Sequence, residues 1–390
     1  MVTMTTADNA LKSFYLGAVS DMLNTSVNPL LAQIKQSTAD VWGKDVRRLV
    51  RYGVNGGVGA GTEEGSLPTA GGNRYMQFVT TLKNLFGSIE ISDKAIRASA
   101  NNEGAFVNLL NDEMDGLVKS SSFNFGRMLF GDGTGKLASV SSIGEDGAIQ
   151  LDSVKNIAEG MIVDFIAESA STVLAGGRTI LSVDRSNKKI IVDGSTLTST
   201  TVPASSRVVM QNSYGLELTG LGALFAESGT LYGVDKSKNG FMKPYTLSSV
   251  GTITETKIQT AIDTVEENSG SKINFIVCSW GVKRALAEQL AANKRVVDTM
   301  ELNGGYKAMS FNGIPVVTDR FCPDGTMYLL NTDDFCLHQL CDWQWLEGED
   351  GKILKQIAGK PVYTATLVKY ADLVCYRPCG QAMLSGITEK

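Results

Sequence analysis

The stretch GVNGGVGAGTEEGSLPTAGGN, residues 53–73, is the most informative part of this chain, with eight glycines in 21 positions. It lies between two runs rich in β-branched and aromatic residues, VRRLVRY at 46–52 and YMQFVTTLKNLFGSIEI at 75–91. Glycine permits many backbone conformations and has no side chain to pack, so this stretch suits a long mobile loop. The simplest prediction is a long hairpin that leaves the body of the protein.

Composition places the rest of the chain among ordinary globular proteins. The 390 residues are 43% hydrophobic and 20% charged, which suits two to three domains and disfavours wholesale disorder. No apolar run is long enough for a membrane helix, and MVTMTTADNA lacks the features of a secretory signal. The net charge of −5 disfavours a protein that reads DNA sequence. We therefore expect neither a membrane partner nor sequence-specific nucleic-acid binding.

The cysteines and the one histidine do not form a convincing catalytic or metal motif. The pattern Cys336-x-His338-x-x-Cys341 with Cys375-x-x-x-Cys379 is looser than usual zinc spacings. All the cysteines have apolar neighbours, so buried reduced thiols are favoured over zinc, redox or disulfide roles. Cys336, His338 and Leu340 are predicted to share one strand face, which favours a structural histidine. We expect no cofactor, no metal and no catalytic residue. The six cysteines are Cys278, Cys322, Cys336, Cys341, Cys375 and Cys379.

Two further motifs invite a functional reading and are disfavoured. GDGTGK at 131–136 is shorter than a Walker A loop and follows a helical pattern instead of preceding one, so a helix end and turn is favoured. Glu63 and Glu64 could be the acidic pair of a hydrolase, but neighbouring residues on a strand point to opposite faces. A mobile glycine loop also cannot hold two carboxylates in place.

Hydrophobic periodicity predicts the other elements. Residues 7–24 read as an amphipathic helix, and Asn28 and Pro29 begin a second short helix. The pattern over 103–130 predicts a helix about 40 Å long. Thr252-Ile-Thr-Glu255 suggests a capping box for a helix through Asn268. Further elements are predicted at 273–278 (strand), Trp280 to about Ala292 (helix), 313–317, 327–331, 335–372 and 373–377 (strands).

Residues 138–212 differ from their surroundings. They contain no Trp, and short β-type runs at 161–167, 179–183, 189–192 and 206–210 alternate with turn sequences. This pattern predicts a compact antiparallel barrel inserted between two mixed segments.

The order of these features resembles the major capsid proteins of tailed bacteriophages, which have the Hong Kong 97-type capsid fold. The likeness is carried by residues 61–92, FNFGRMLFGDGTGKLA at 123–138, INFIVCSWGVKRAL at 273–286, residues 311–330 and residues 367–386. The implied fold class is α+β, with an N-terminal helical arm, an E-loop hairpin, a P-domain with a long spine helix, an A-domain and the inserted small barrel. The implied boundaries are 1–39 (arm), 40–92 (E-loop and its arms), 93–137 (P-domain with spine helix), 138–212 (barrel), 213–339 (A-domain), 340–372 (P-domain strands) and 373–390 (A-domain C-terminal strand).

The resemblance implies a structural protein, not an enzyme. Such a subunit assembles with itself into pentamers and hexamers that form an icosahedral head shell around double-stranded DNA, with a portal protein as a further partner. Decoration and scaffolding proteins are further candidate partners. Because the family-like core begins by about residue 40, no long scaffolding segment is expected to be cleaved off. The implied location is the virion, after assembly in the cytoplasm of a host bacterium.

The hairpin and its arms are the expected contacts between subunits. An exposed hairpin without its own core gains stability only against another subunit. The alternative is an encapsulin-type nanocompartment shell, which shares the fold and would copurify with a cargo enzyme. The candidate contact residues are Arg47, Arg48, Arg51, Gly56, Gly57, Glu63, Glu64, Leu67 and Arg74.

Overall fold

The computed structural model describes residues 28–39, 41, 45–94, 103–292, 299–301, 307–348, 351 and 353–390. The helix predicted at 7–24 lies outside these residues. The described helices are α1 (Pro29–Gln33), α2 (Glu103–Phe130), α3 (Leu221–Phe225), α4 (Glu255–Ser269) and α5 (Trp280–Ala292), with short 3-10 turns at Gly240–Met242, Thr332–Asp334 and Pro378–Gly380.

The strands of the described residues form five sheets, and the fold is mixed α+β, as predicted. The strands are β1 (Lys35–Ser37), β2 (Asp45–Arg51), β3 (Tyr75–Thr81), β4 (Lys83–Ser92), β5 (Lys136–Ile143), β6 (Ile149–Leu151), β7 (Ile162–Ile166), β8 (Val173–Asp184), β9 (Lys189–Val192), β10 (Arg207–Met210), β11 (Thr230–Leu231), β12 (Val234–Asp235), β13 (Tyr245–Leu247), β14 (Phe275–Cys278), β15 (Thr299–Glu301), β16 (Lys307–Phe311), β17 (Ile314–Thr318), β18 (Met327–Leu330), β19 (Phe335–Trp345), β20 (Lys355–Gln356), β21 (Val362–Cys375) and β22 (Ala382–Leu384).

The long helix α2 packs against a sheet built on β21. One side of β21 pairs with β19 and β20, the other side pairs with β4, and β1 adds to β19. Val118, Phe125 and Leu129 of α2 are buried in the core that this packing creates. A Cβ placed on Gly87 of β4 would lie 2.9 Å from Leu117 Cδ1, which shows how closely the sheet approaches the helix.

A second sheet has seven strands in the order β13-β22-β18-β14-β17-β16-β15. The side chains of Ile258 and Val265 on α4 are buried in its core, as the sequence pattern predicted. The predicted cap is wrong by two residues. Thr254, not Thr252, is the N-cap of α4, and its Oγ1 accepts a hydrogen bond from the backbone N of Lys257 at 3.4 Å.

The strands β10-β5-β6-β9-β8-β7 close into a barrel between residues 136 and 210. Val163, Phe165, Ile190 and Val208 are fully buried inside it. The first barrel strand begins at Lys136, two residues before the predicted start at 138. Since β5 pairs with β10, the chain enters and leaves the barrel at neighbouring positions.

Three predictions about the late strands need correction. The run at 373–377 is not a separate strand of the second sheet, because β21 continues to Cys375 beside β19. The boundaries at 339/340 and 372/373 therefore cut β19 and β21, and the strand that joins the second sheet is β22. Leu340 does not share the face of Cys336 and His338. A bulge between Gln339 and Cys341 leaves Leu340 exposed while His338 is fully buried.

Asn28 precedes α1 as predicted, but its side chain makes no capping hydrogen bond. The side chain is buried against α2. A Cβ on Gly126 would lie 2.1 Å from Asn28 Oδ1 and 2.5 Å from the ring of Phe321. Gly126 is therefore required by the close approach of three segments, not by a turn.

Candidate functional site

The antiparallel pair β2–β3 forms the hairpin, residues 45–81, and the segment 52–74 between the two strands has no regular strand. The register runs without a break from Asp45 opposite Thr81 to Arg51 opposite Tyr75. One more backbone hydrogen bond, from Tyr52 N to Arg74 O at 3.1 Å, extends the ladder before the glycine-rich loop begins.

The loop has apolar side chains that the described residues leave exposed. Val54 and Val58 are 88% exposed and Leu67 is 90% exposed. Glu63 and Glu64 are also exposed, within a turn that the hydrogen bond from Gly65 N to Thr62 O closes at 3.1 Å. We call residues Thr62–Gly65 the tip. Exposed aliphatic side chains beside two carboxylates are suited to contact with another surface.

The opposite end of the hairpin, its root, is packed firmly on the body of the protein. Val46, Phe78 and Thr80 are buried. The ring of Phe78 lies 5.6 Å from the ring of Tyr232, and the backbone N of Val79 donates to Tyr232 O at 3.0 Å.

A buried carboxylate holds the β3 arm of the root. Asp372 of β21 is fully buried and accepts a hydrogen bond from Thr80 Oγ1 at 2.6 Å. It also accepts from the backbone N of Thr219 at 2.8 Å and from Thr219 Oγ1 at 3.0 Å. Burial raises the pKa of the Asp372 carboxyl, although these hydrogen bonds act against the rise. Asp372 therefore joins the hairpin, β21 and the segment after the barrel.

A stack of three side chains holds the β2 arm. The guanidinium of Arg48 lies 3.9 Å above the centre of the Tyr376 ring, within the range of a cation–π contact. The Tyr376 hydroxyl lies 2.5 Å from His338 Nε2. His338 has a clear structural setting here, which agrees with the interpretation from sequence.

A groove of about 920 Å³ opens beside the root. Its walls come from the β2 arm, the segment Gly240–Tyr245, the C-terminal half of α4 and the turn after β21. The basic residues Arg48, Arg51, Lys243 and Arg377 line it, with Asp334 as the acidic residue among its lining. Tyr52 stacks on Phe241 in its wall at a ring distance of 4.5 Å.

The sequence-predicted contact residues fall into separate groups. Arg48 and Arg51 line the groove, whereas Glu63, Glu64 and Leu67 lie at or near the tip. The others lie elsewhere on the hairpin. Arg47 is exposed, with its Nη2 3.6 Å from Asp45 Oδ2, and exposed Arg74 packs beside Gly53. Gly56 is exposed, and Gly57 N donates a hydrogen bond to Asn55 Oδ1 at 2.9 Å.

Sequence reasoning missed Lys243, Tyr376 and Arg377 as parts of this surface. They are far from the hairpin in sequence, and no local pattern marks them. The only available signal was the run CYRPC at 375–379, in which an exposed cation follows a buried strand.

A second contact region joins the barrel to the segment after β17. Lys155 Nζ donates to Cys322 O at 2.6 Å and lies 2.5 Å from Asp324 Oδ1. Asp319, nearby, is buried, and its Oδ1 accepts from the backbone N of Phe321 at 2.9 Å. Burial raises the pKa of the Asp319 carboxyl to about 6. The barrel is thus tied to the second sheet by charged groups.

The cysteines have the character of core residues. Cys278, Cys322, Cys336 and Cys375 are buried, and none of the six cysteines, all of them within the described residues, forms a disulfide. Burial raises the pKa of the Cys278 thiol to about 12, which disfavours the reactive thiolate. Within the described residues there is no cluster of three metal-ligating side chains and no helix long and apolar enough to cross a membrane.

Comparison of the fold with solved structures gives a full-length match. A chain in the capsid asymmetric unit of cyanophage A-1(L) matches with a TM-score of 0.55 and 13% identity over 96% of this chain and 93% of that chain. The capsid of a native GTA particle (TM-score 0.46, 11% identity, 92% and 90% covered) is also similar. So is the SrpI encapsulin of Synechococcus elongatus PCC 7942 (TM-score 0.46, 10% identity, 93% and 89% covered).

No family model matches the sequence, and no curated protein matches it. The likeness therefore rests on structure, and the cyanophage match carries it. The predicted resemblance to phage capsid proteins is confirmed at the level of the fold.

Proposed function

We propose that this chain is a major capsid protein, which assembles with itself into pentamers and hexamers of an icosahedral phage head. The observation that carries the proposal is the cyanophage capsid match over nearly the whole of both chains. In this proposal the hairpin is the E-loop, α2 is the spine of the P-domain, and the seven-stranded sheet is the core of the A-domain.

The hairpin supports this assignment on physical grounds. Its root is fixed by buried contacts, while its loop presents apolar side chains to solvent, among them Leu67 at 90% exposure. A neighbouring subunit that covered these side chains would gain about 25 cal/mol for each Å² of apolar surface removed from water. Glycine in the loop lets one sequence adapt to unequal neighbours, which a shell of both pentamers and hexamers requires.

The proposed role is structural and not enzymatic, with the virion as the final location and the host bacterial cytoplasm as the site of assembly. The shell would enclose double-stranded DNA without reading its sequence. A portal protein is the further partner expected, together with separate scaffolding or decoration proteins where the phage encodes them.

Expression of the full chain followed by negative-stain imaging tests the proposal. We expect hollow shells or capsomers. A monomer at every concentration in size-exclusion chromatography, with no particles in the images, would contradict it. Particles that copurify with a cargo enzyme would favour an encapsulin-type compartment instead, whereas copurified portal protein and DNA would favour the phage head.

A further inference from the structure

We infer that the groove beside the hairpin root receives the tip of a second copy of this chain, with Glu63 and Glu64 facing Arg51 and Lys243. This inference rests on the proposed shell function and assigns the two surfaces that meet when subunits assemble.

Two cations of the groove have no partner in the part of the chain that the structure describes. Arg51 and Lys243 are exposed and make no side-chain hydrogen bond or ion pair within the described residues. Arg377 Nε lies 4.0 Å from Asp334 Oδ1. Asp334 also accepts hydrogen bonds from Ser271 Oγ at 3.1 Å and from the side chain of Gln381 at 3.3 Å. Because four basic residues and one acidic residue are among its described lining, the groove presents net positive charge.

The groove also offers apolar surface next to these cations. The stacked rings of Tyr52 and Phe241 form part of its lining, and Pro244 and Pro378 add two rigid apolar surfaces. A suitable occupant therefore has acidic groups and an aliphatic side chain within a few residues of each other.

The tip meets both requirements. Glu63 and Glu64 lie in the turn, and Leu67 follows within four residues, almost wholly exposed. Neither carboxylate has a hydrogen-bond or ion-pair partner among the described residues, so the tip does not occupy the groove of its own chain. Each copy has one tip and one groove, so the tip of one copy can enter the groove of the next. Such a head-to-tail contact can close into rings.

Charge complementarity decides between a second copy and nucleic acid. Phosphate groups would also be attracted to Arg51 and Lys243, but they would leave the apolar lining without a matching side chain. The net charge of −5 on the chain also opposes DNA binding, whereas it does not prevent two local patches of opposite sign from meeting.

Charge reversal and its rescue test the inference on the full chain. The groove variant combines Arg51→Glu with Lys243→Glu, and the tip variant combines Glu63→Lys with Glu64→Lys. Each variant should lower the yield of assembled particles at least about tenfold, because like charges that meet at an interface repel each other strongly. The variant with all four substitutions should recover assembly, since the charges are exchanged but remain complementary. Lys238→Glu is the control: Lys238 is an exposed lysine shortly before Lys243 that does not line the groove, and loss of its exposed contact with Asp235 should leave the yield unchanged.

Disulfide trapping gives an independent readout. One chain carries Glu64→Cys, and a second, differently tagged chain carries Lys243→Cys. Both also carry Cys379→Ser, because the native Cys379 lines the groove and could itself be cross-linked. Oxidation of the mixture should give a cross-linked dimer that contains both tags and that neither variant forms alone. Lys238→Cys in place of Lys243→Cys should give no such dimer.

The outcomes distinguish a failure of the proposed shell function from a failure of the groove inference alone. If the unsubstituted chain remains a monomer, both are overturned. If it assembles and the groove variant assembles equally well, or if the four-fold variant is not rescued, only the groove inference is overturned. The inference also fails if the groove variant assembles normally but loses binding to a double-stranded oligonucleotide, because nucleic acid would then be the occupant.

Discussion

His338 and Asp372 face each other across β19 and β21, and each holds a different arm of the hairpin. Directly opposed residues of an antiparallel pair project to the same face of a sheet. From that face, His338 contacts Tyr376, and the guanidinium of Arg48 on β2 lies over the Tyr376 ring. Asp372 accepts a hydrogen bond from Thr80 of β3. One cross-strand pair therefore contacts both arms of the hairpin, in addition to the packing of Phe78 on Tyr232.

Asp372→Ala should loosen the β3 arm selectively. The substitution leaves the donors of Thr80 and Thr219 without an acceptor in a buried site, at a cost of about 2–4 kcal/mol. Hydrogen–deuterium exchange should become faster in Tyr75–Thr81 and stay unchanged in the barrel. Glu90→Ala, at an exposed position on β4, is the control and should leave both regions unchanged. Unchanged exchange in β3 of the Asp372 variant would show that the carboxylate does not hold the arm.

Two glycines of α2 should respond in opposite directions to substitution by alanine. Gly126→Ala places a Cβ against Asn28 and Phe321 and should destabilise the protein by about 1–3 kcal/mol, since the neighbours are buried. Gly116→Ala meets no atom within 4 Å, so helix propensity alone should stabilise by about 0.5–1 kcal/mol. Thermal unfolding of the two variants gives the comparison. A Gly126 variant as stable as the Gly116 variant would contradict the close packing.

Much of the architecture could be predicted because its signals are local. The apolar period of α2, its end at Gly131, and the turn sequences of the barrel are all visible in short windows. The glycine-rich loop likewise identified the hairpin, although nothing local shows what its root contacts.

The errors arose where distant partners determine the structure. The end of β21 could not be located because a strand buried on both faces shows no alternation. Leu340 was misplaced because the bulge in β19 is set by pairing with β21. The groove was missed because its lining comes from segments near residues 50, 243, 266 and 377, which only the tertiary fold brings together.

Asp319→Asn should stabilise the protein above pH 6 and have little effect near pH 4. The pKa of Asp319 is about 6 in the folded chain, above the value of about 3.9 for an unfolded aspartate. The folded state therefore binds more protons between these values, so the contribution of Asp319 to stability falls as pH rises through this window. Asparagine keeps an oxygen that can accept the hydrogen bond from Phe321 N but carries no charge. The free energy of unfolding should therefore be higher by about 1–3 kcal/mol in the variant at pH 8. The melting temperatures of both proteins from pH 4 to 8 test this, and a lower value for the variant at pH 8 would contradict it.

Assembled particles should not be covalently cross-linked through the hairpin loop. An isopeptide bond needs a lysine amine, and residues 53–73 contain no lysine. Particles boiled in detergent should release a single species near 41.7 kDa. A ladder of larger bands that survives reducing agent would show a cross-link elsewhere in the chain.

Removal of the barrel should leave the other two cores folded. Lys136 and Val209 are partners beside a bulge in the β5–β10 pair, so a short Gly-Ser linker can replace residues 137–208 and join the two ends. The side chains inside the barrel pack on one another as a separate hydrophobic cluster, and Lys155 is the residue through which the barrel contacts Cys322 and Asp324.

We expect the deletion variant to be soluble, with the melting transition of the remaining sheets lowered by a few degrees at most. Lys155→Met in the intact chain is the control for the lost ion pair and should account for most of that decrease. We further propose that the barrel contacts an adjacent subunit on the outer face of the shell, so the deletion variant should assemble poorly. Insoluble expression would show that the barrel belongs to the folding core, and particles of unchanged number and stability would rule out the contact.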